Sequence, residues 1–334
     1  GCRNIETLIL PIMNAMSHFA TKAARVVHAA NGRPVVEGGT RRGFSGLLSA
    51  LSAYIAGTAG TSNAQMARIA GIPAYGSLAH AGVTIEPSEL EAIVNYRRLF
   101  PTATILVDTY DILEGVRNAV RAAGSELAGI RLDSTLPGMD KGATSRAVRA
   151  LLTELGHDQT PITFSDGLDE YELSQLPRDQ APFQFALVGT EIASPSDAGG
   201  LGMVYKLDQI RLPSGQIMDP MKFSTGKVSL PGQKQIVRFE MDGAYDHDVL
   251  QELGEPTLPG GKALLETAML DGKRVIPRAS VGDQRQATLA ELAKLPRRLF
   301  SLTGEGIEPY SVRISDRLKA RQERASARLK PKET

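Results

Sequence analysis

Short apolar runs that end on a polar residue recur along the chain up to residue 190. They cover residues 33–37, 73–79, 103–107, 127–132, 161–165 and 184–188. Buried parallel strands read as continuous apolar stretches of this kind. The polar groups at their ends are Glu37 with the turn 38–42, His80, Asp108, Asp133, Asp166, and Gly189 with Thr190. In a closed α/β barrel, such residues gather on one face, where the chemistry is done.

Segments with helical patterning separate these runs, at 6–30, 45–56, 89–100, 112–123, 144–155 and 170–176. The alternation predicts an α/β fold built on a parallel barrel or sheet. After about residue 206, short alternating runs joined by Pro and Gly turns indicate a smaller β-rich portion, followed by helices at 283–295 and 312–330. We therefore predict a helical lead-in at 1–30, a barrel domain at 31–230, and a second portion at 231–334 that ends in a charged tail.

The composition excludes several classes of protein. Of 334 residues, 42% are hydrophobic and 22% are charged, and the formal net charge is +1, so we expect no nucleic-acid or membrane partner. The apolar run 8–16 is too short to span a bilayer. The single cysteine, Cys2, excludes an intramolecular disulfide and favours a reducing, cytoplasmic location. Because the chain begins with glycine, we expect its true start to lie upstream.

Three groups at or near the predicted strand ends suit an anionic ligand. In the turn 38–42 (Gly-Gly-Thr-Arg-Arg), backbone amides can approach an anion and Arg41 can form a bidentate fork, although a tight turn with surface arginines explains the same residues. Residues 60–63, which include Ser62, read as a helix cap, and a capped helix start is also an anion site. His80 is interpreted either as a satisfied rim group or as a nucleophile or proton carrier.

The carboxylates favour a sugar or a metal-bound diphosphate. Arg131 and Asp133 flank Leu132 and so point to the same side of a strand, as an internal ion pair or as part of a site. Asp166, followed by Gly167, suits a ribose hydroxyl or Mg²⁺, which proteins hold through one or two carboxylates plus phosphates. Asp111 is interpreted as a helix cap. His18 and His28 are interpreted as structural residues, and His157 and His247 as loop residues.

A cationic segment lies further along the chain. Lys222, Ser224 and Lys227 occupy a Ser/Gly-rich turn, and Lys234 and Arg238 follow it. Such a charge run fits a solvated face and a phosphate site equally well. No Walker-type loop is present.

Taken together and in order, these segments resemble the nicotinate phosphoribosyltransferase family. The resemblance rests on ten collinear motifs, at 22–27, 37–42, 60–64, 76–80, 107–111, 130–134, 165–169, 188–190, 204–207 and 221–238. It implies an irregular parallel α/β barrel with a smaller α/β sandwich whose N-terminal part lies upstream. It also implies transfer of phosphoribosyl from phosphoribosyl diphosphate to nicotinate, in NAD salvage, with coupled ATP hydrolysis, Mg²⁺, and a homodimer or higher homo-oligomer.

The same resemblance implies roles for individual residues. His80 matches the histidine that ATP phosphorylates transiently. Ser77 and Arg131 match positions that hold nicotinate, together with Arg41. Asp133 and Asp166 match carboxylates near the ribose and Mg²⁺. The 5′-phosphate is assigned to Gly189 and Thr190, assisted by Lys222, Ser224 and Lys227.

The chain departs from the family pattern at several substrate-facing positions. Gly38 stands where an aromatic residue is usual, and Leu187 stands where glycine is usual. The segment 134–138 replaces a Ser-Gly-Asp sequence, and Ala81 with Gly82 replaces a bulkier pair. Two alternatives therefore stay open. One is an enzyme that uses nicotinamide. A carboxylate at position 62 would favour that amide substrate, whereas Ser62 favours nicotinate. The other alternative is a non-catalytic nucleotide-binding paralogue.

Overall fold

The computed structural model of the chain describes residues 2–195, 197, 200–222, 228–303 and 307–329. Ser224 and Lys227 lie outside this described part. Contacts divide the chain into two compact units. We call Ile12–Leu201 with Val281–Leu289 the barrel unit, and Gly1–Pro11 with Gly202–Ser280 and Ala290–Thr334 the sheet unit. Residues 202–230 group with the sheet unit, whereas the sequence analysis placed them with the barrel, and the predicted domain boundaries stay predictions.

Strands and helices alternate through the barrel unit, and its first helix begins in residues that group with the sheet unit. The strands are β1 (Val35–Glu37), β2 (Gly60–Thr61), β3 (Ile105–Leu106), β4 (Ile130–Leu132), β5 (Ile162–Phe164) and β6 (Phe185–Val188). The helices are α1 (Cys2–Ala29), α2 (Gly46–Ile55), α3 (Ala64–Ala70), α4 (His80–Thr84), α5 (Glu89–Leu99), α6 (Ile112–Ala123), α7 (Lys141–Glu154), α8 (Glu170–Gln175) and α9 (Thr190–Ala193). A 3-10 turn follows α6 at Gly124–Glu126. The six helices predicted in this region are confirmed.

The six strands form one parallel sheet whose edges are joined by a bridging segment. Their order is β2-β1-β6-β5-β4-β3, and every neighbouring pair is parallel. At the two edges, Ala74 pairs with Thr61 of β2, and Ser77 pairs with Thr104 just before β3, both in parallel orientation. The ring of extended segments therefore closes, which confirms the α/β barrel. Closure places the carboxyl ends of all the strands at one rim.

The prediction of a full strand ending at His80 is wrong. Segment 72–79 makes only the two single bridges at Ala74 and Ser77, and His80 is the first residue of α4. Pro73 has no N–H to donate to a strand ladder, and Gly76 weakens extended pairing. Conversely, β2 was not predicted, because a two-residue Gly-Thr strand carries no apolar run.

Local capping residues determine where six of the helices begin. In each, a side-chain oxygen accepts a hydrogen bond from the backbone N–H three residues later, which satisfies a donor that the helix start leaves free. These caps are Ser45, Asn63, Ser88, Asp111, Asp140 and Asp169. The prediction that Asp111 caps a helix is therefore confirmed.

The barrel core lies between the sheet and the surrounding helices. Strand residues Ile105, Ile130, Leu132 and Ile162 are fully buried. The buried face of α1 continues past the helix end and recurs at intervals of three and four residues, at Ala15, Phe19, Ala23, Val26 and Ala30. In the described part of the chain, no helix is both long and apolar enough to cross a membrane.

The sheet unit is built mainly from β strands. Its strands are β7 (Ile210–Arg211), β8 (Ile217–Met218), β9 (Lys234–Met241), β10 (Ala244–Glu252), β11 (Gly261–Ala263), β12 (Met269–Leu270), β13 (Lys273–Arg274) and β14 (Ser311–Ile314). Four of them form a sheet in the order β11-β9-β10-β14. Asp242 and Gly243 join β9 to β10 with positive φ angles of 52° and 78°, the conformation that a two-residue hairpin turn requires. Two helices complete the fold: α10 (Val281–Ala293), which begins in the barrel unit, and α11 (Asp316–Leu329).

Two predictions for this region are wrong. Residues 312–314, predicted as helix, form part of β14, which pairs in parallel with β10. His247, predicted in a loop, lies within β10 and stacks on Phe239 at 4.6 Å between ring centroids. The pairing between β10 and β14 joins residues more than sixty positions apart, so no local pattern indicates it.

Arg285 of α10 contacts the carboxyl end of α2 within the barrel unit. Its guanidinium donates to the backbone carbonyl oxygens of Tyr54, Thr58 (2.8 Å) and Gly57 (3.1 Å), and it lies 4.4 Å from the centroid of the Tyr54 ring. A cation at this position satisfies the carbonyls of Gly57 and Thr58 just beyond the helix end and adds to the backbone hydrogen bonds that Tyr54 O already accepts. Arg285 therefore holds the start of α10 against α2.

We expect Arg285→Ala to lower the free energy of unfolding by about 2 kcal/mol, because hydrogen bonds to a charged donor are lost and the carbonyls stay partly buried. Denaturant unfolding of the full chain measures this change. The exposed neighbour Gln286 offers a matched control, and Gln286→Ala is expected to change stability by less than about 0.5 kcal/mol. Equal stability of the two variants would contradict the capping role.

Candidate active site

A cavity of about 970 Å³ opens at the carboxyl ends of the barrel strands. It gathers most of the predicted site residues: Arg41, Ser62, Ser77, His80, Arg131, Asp133, Asp166, Gly167, Gly189 and Thr190. They come from the turn after β1, the bridging segment with the start of α4, and the ends of β2, β4, β5 and β6, as parallel strands with a common rim require. Lys222 belongs to the sheet unit, where its backbone N–H donates to Ser229 Oγ at 2.8 Å. Its predicted role, like those of Ser224 and Lys227, stays a prediction.

Arg131 is the centre of the polar network in this cavity. It projects from β4 and donates to Ser77 Oγ at 2.9 Å through Nη1 and to Ser165 Oγ at 2.7 Å through Nε. Its Nη2 lies 3.0 Å from Asp133 Oδ2. The predicted same-side placement of Arg131 and Asp133 is therefore confirmed. A guanidinium has five N–H donors, and these contacts use three of them, so two remain for a ligand.

Asp133 is held in its ionised form. Burial alone would raise its pKa, but the hydrogen bond from Ser165 Oγ (2.6 Å) and the charge of Arg131 outweigh burial, so the pKa of Asp133 lies below its ordinary value. Ser165 links the two residues, since it accepts from Arg131 and donates to Asp133. Sequence reasoning missed Ser165, because a serine at a strand end carries no signal without its neighbours.

His80 lies at the same rim, beside two carboxylates. Its Nδ1 is 3.1 Å from Thr109 Oγ1, and its Nε2 is 3.6 Å from Asp133 Oδ2 and 3.9 Å from Asp108 Oδ1. The Asp108 side chain is buried. Its Oδ2 accepts from the Asp133 backbone N–H (2.6 Å) and from Ser134 Oγ (2.7 Å).

The other oxygen of Asp108, Oδ1, has no hydrogen-bond partner among the described residues. A buried carboxylate oxygen without a hydrogen-bond partner is energetically costly. This oxygen faces His80, whose Nε2 lies 3.9 Å away. Through Oδ2, Asp108 also links the end of β3 to the end of β4 beside His80. The sequence analysis had noted Asp108 only as a strand-end residue and had assigned Thr109 no role.

Glu37 is a further polar residue that the sequence analysis did not place in the site. It is fully buried beneath the turn 38–42 and accepts hydrogen bonds from Gly39 N (2.6 Å), Thr61 Oγ1 (2.6 Å) and Ser49 Oγ (3.3 Å). Burial raises the pKa of Glu37 above its ordinary value, although these three hydrogen bonds oppose the shift. Glu37 therefore ties the turn after β1 to β2 and α2.

The motif at 22–27 has a structural explanation. Lys22 is almost fully buried, and its Nζ lies 2.8 Å from Glu170 Oε2, 3.0 Å from Asp197 Oδ2 and 3.9 Å from Glu191 Oε2. Arg25 Nε donates to Glu170 Oε1 at 2.9 Å. A buried charge persists only when it is paired. These ion pairs hold α1 against α8 and the segment after β6, next to the cavity.

Two of the predicted cations in the sheet unit are paired with carboxylates. Lys234 Nζ donates to Asp208 Oδ2 at 2.8 Å, and Arg238 makes a bidentate pair with Asp248 at 2.9 and 2.8 Å. These contacts favour the structural interpretation of Lys234 and Arg238 over the phosphate interpretation.

The carboxylates of the cavity fit a metal ion that is coordinated mainly by a bound phosphate compound and water, with few protein ligands. In the part of the chain that the structure describes, no group of three or more His, Cys, Asp or Glu side chains is placed to hold a metal ion. Asp166 faces the cavity, half-exposed, and its Oδ2 lies 3.6 Å from Lys141 Nζ. Mg²⁺ commonly keeps most of its shell as water and phosphate oxygens and takes only one or two carboxylates. The donor set therefore fits Mg²⁺ bound together with a diphosphate.

The sequence is similar to curated enzymes along nearly its whole length. It is 39% identical over 323 residues to nicotinate phosphoribosyltransferase pncB2 of Mycobacterium tuberculosis, which covers 94% of this chain and 67% of that protein. It is 34% identical over 308 residues to nicotinate phosphoribosyltransferase pncB1 of the same organism, which covers 88% of this chain and 66% of the relative. The chain thus spans about two thirds of the length of these relatives. No family model matches the sequence.

A solved structure shares the fold. The human nicotinic acid phosphoribosyltransferase superposes with a TM-score of 0.76 over 96% of this chain and 76% of that chain, at 22% sequence identity. At this level of identity, the likeness describes the fold alone.

The buried carboxyl group of Glu37 predicts a pH dependence of stability. Because its pKa is raised, the folded protein binds a proton more tightly than the unfolded chain, and folding gains stability as the pH falls through the folded pKa. The gain is complete below the unfolded value, about 4.3 for glutamate. Glutamine does not titrate, so the stability lost in Glu37→Gln is expected to increase as the pH falls from about 7 towards about 4.

Denaturant unfolding of wild type and Glu37→Gln at a series of pH values measures this difference. Other titrating groups are common to both proteins and cancel. A stability difference that shrinks at low pH would contradict the burial of an ionisable Glu37.

Proposed function

The chain belongs to the nicotinate phosphoribosyltransferase family, and we propose that it joins nicotinate to phosphoribosyl diphosphate, giving nicotinate mononucleotide and diphosphate in NAD salvage. We extend the proposal to coupled ATP hydrolysis, to Mg²⁺ as cofactor and to assembly as a homodimer or larger homo-oligomer. The observation that carries the proposal is the convergence of Arg131, Asp133, His80, Asp166 and Thr190 on one cavity.

Arg131 is the proposed anchor for the nicotinate carboxylate. Its remaining N–H donors suit a planar carboxylate, because a guanidinium fork matches two oxygens at once. The bonds to Ser77, Ser165 and Asp133 hold the guanidinium before a ligand arrives, which reduces the ordering cost of binding. Exposed Arg41 and Ser62 line the same cavity and are proposed to complete this pocket.

Asp133 is proposed to stabilise the positive charge that develops on the ribose. As the pyridine nitrogen forms its bond to the ribose C1′, the bond to diphosphate breaks and the sugar gains oxocarbenium character. A carboxylate that is already ionised, as the lowered pKa of Asp133 indicates, stabilises such charge without further reorganisation.

The departing diphosphate requires positive charge. Mg²⁺, when bound, supplies electrostatic stabilisation of the leaving oxygens, and Asp166 is the carboxylate proposed to hold it. Gly167 follows Asp166, and Gly189 with Thr190 form the adjacent part of the rim, at the end of the neighbouring strand β6, where we place the 5′-phosphate.

His80 is proposed to accept a phosphoryl group from ATP. Its side chain is exposed to the cavity, and Thr109 fixes the orientation of its ring. A phosphorylated His80 would carry negative charge next to Asp133 and the diphosphate position, so it can favour product release electrostatically.

The first test supplies the full-length protein with labelled nicotinate or nicotinamide, phosphoribosyl diphosphate and Mg²⁺. We expect mononucleotide from nicotinate. For Arg131→Lys, we expect the KM for nicotinate to rise roughly 10- to 100-fold, because charged hydrogen bonds to the carboxylate are lost. Arg68→Lys, at an exposed arginine of α3 outside the cavity, is the matched control.

Two results would count against this proposal. If mononucleotide forms from nicotinamide but not from nicotinate, the substrate of the enzyme is nicotinamide. If neither substrate gives product, the protein is better explained as a non-catalytic nucleotide-binding paralogue.

The second test concerns ATP. Incubation with γ-labelled ATP is expected to label His80, and His80→Gln is expected to lose both the label and the stimulation of transfer by ATP. His28→Gln, on α1, provides a histidine control. Full stimulation in His80→Gln would exclude the phosphohistidine role while leaving the transferase proposal standing.

A further inference from the structure

Leu187 is an aliphatic side chain on the inner wall of a largely polar cavity. It lies in β6, where residues alternate between half-buried and buried positions, and it lines the cavity. The register pairs Phe164 with Ala186 and Val36 with Leu187. One step further along β5, Ser165 therefore stands beside Leu187 on the same face of the sheet. Since Ser165 contacts both Arg131 and Asp133, Leu187 borders the proposed nicotinate anchor.

Gly38 lies against the other side of Leu187. Its backbone N–H donates to Val188 O at 2.8 Å, which extends the pairing of β1 with β6. A Cβ atom on Gly38 would lie 2.4 Å from Leu187 Cδ2 and 3.0 Å from Leu187 Cγ, closer than packed carbon atoms approach. The backbone of Gly38 is not in the left-handed region. The backbone conformation therefore does not require glycine at position 38, but a side chain there would displace the end of the Leu187 side chain.

The two departures from the family pattern lie in contact with each other. The sequence analysis treated an aromatic-to-glycine change at 38 and a glycine-to-leucine change at 187 as separate losses. In the structure, the two positions are in contact, and a side chain at position 38 would enter the space that the end of the Leu187 side chain occupies.

We propose that Leu187 is a specificity-determining residue that provides the apolar surface for the pyridine ring, and that the absence of a side chain at Gly38 leaves room for it. The identity of the ring rests on the proposed function, whereas the packing of the pair does not. A flat heterocycle whose carboxylate is held by Arg131 must place its ring beside the anchor, where Leu187 offers dispersion contact. This assignment keeps an apolar wall in the site although the aromatic residue is absent.

A double-mutant cycle tests the inference, with Gly38→Phe, Leu187→Gly and the double variant in the full chain. Each single variant is expected to have a lower Tm than wild type. In the Gly38→Phe background, adding Leu187→Gly is expected to raise the Tm, because the overlap disappears. Leu187→Gly alone is expected to raise the KM for nicotinate by about tenfold, the scale of a lost apolar contact in a pocket. The double variant is expected to recover most of that loss.

Gly39 offers the matched control. A Cβ atom there would lie 2.4 Å from Ala193 Cβ and 2.6 Å from Gly189 O, and not against Leu187. Adding Leu187→Gly to Gly39→Ala is therefore expected to lower the Tm further. If Gly38→Phe does not fold, Gly38→Ala with Leu187→Ala tests the same overlap at smaller volume.

The outcomes separate the two proposals. Suppose that the wild-type protein forms mononucleotide, that the Tm changes of Gly38→Phe and Leu187→Gly are additive, and that Leu187→Gly leaves the KM for nicotinate unchanged. These results together would overturn this inference and leave the proposed function standing. A wild-type protein that forms no mononucleotide would overturn the proposed function. In that case, reversal of the Tm effect would still establish the packing pair, and calorimetric binding of nicotinate to wild type and Leu187→Gly would decide whether Leu187 contacts the ring.

Discussion

Closure of the parallel sheet is the constraint on which the rest of the barrel unit depends. A parallel sheet with two open edges would leave backbone donors and acceptors unpaired inside the core. Here β2 and β3 are joined by the bridging segment through Thr61–Ala74 and Ser77–Thr104. The segment that makes these bridges brings Ser77, and His80 just after it, to the rim where the other strands end. A site composed of six separate chain segments follows from this one topological condition.

Three charged residues in and around the cavity, Arg131, Glu37 and Lys22, have identified partners, and these pairings shape the site. Arg131 connects the bridging segment, β4 and β5 through Ser77, Asp133 and Ser165. Glu37 connects the turn after β1 to β2. Lys22 connects α1 to α8 and to the segment after β6. In each case, removal from water would be unfavourable without hydrogen-bond partners, so each buried charge restricts its surroundings to one geometry. The cavity is therefore organised before a ligand binds.

The pair formed by Gly38 and Leu187 shows how a site can change residues and keep its shape. Considered singly, a glycine in place of an aromatic residue suggests a lost contact, and a leucine in place of a glycine suggests an obstruction. Considered together, they are in contact, and the leucine side chain occupies space that a side chain at position 38 would need. Cores tolerate exchanges of this kind when total volume is preserved. The departures therefore argue less for lost activity than they did in the sequence alone.

The sequence alone determined the features that depend on local chemistry. Apolar runs located β1 and β3–β6, capping residues marked the helix starts, and residue order carried the family resemblance, because each depends on neighbours along the chain. Tertiary structure decided the rest. Only closure turns His80 from a strand end into the first residue of a helix, only strand pairing makes 312–314 a strand, and only contact between β1 and β6 makes Gly38 depend on Leu187. Glu37, Asp108 and Ser165 acquire their roles from partners far away in sequence, and no local pattern encodes such partners.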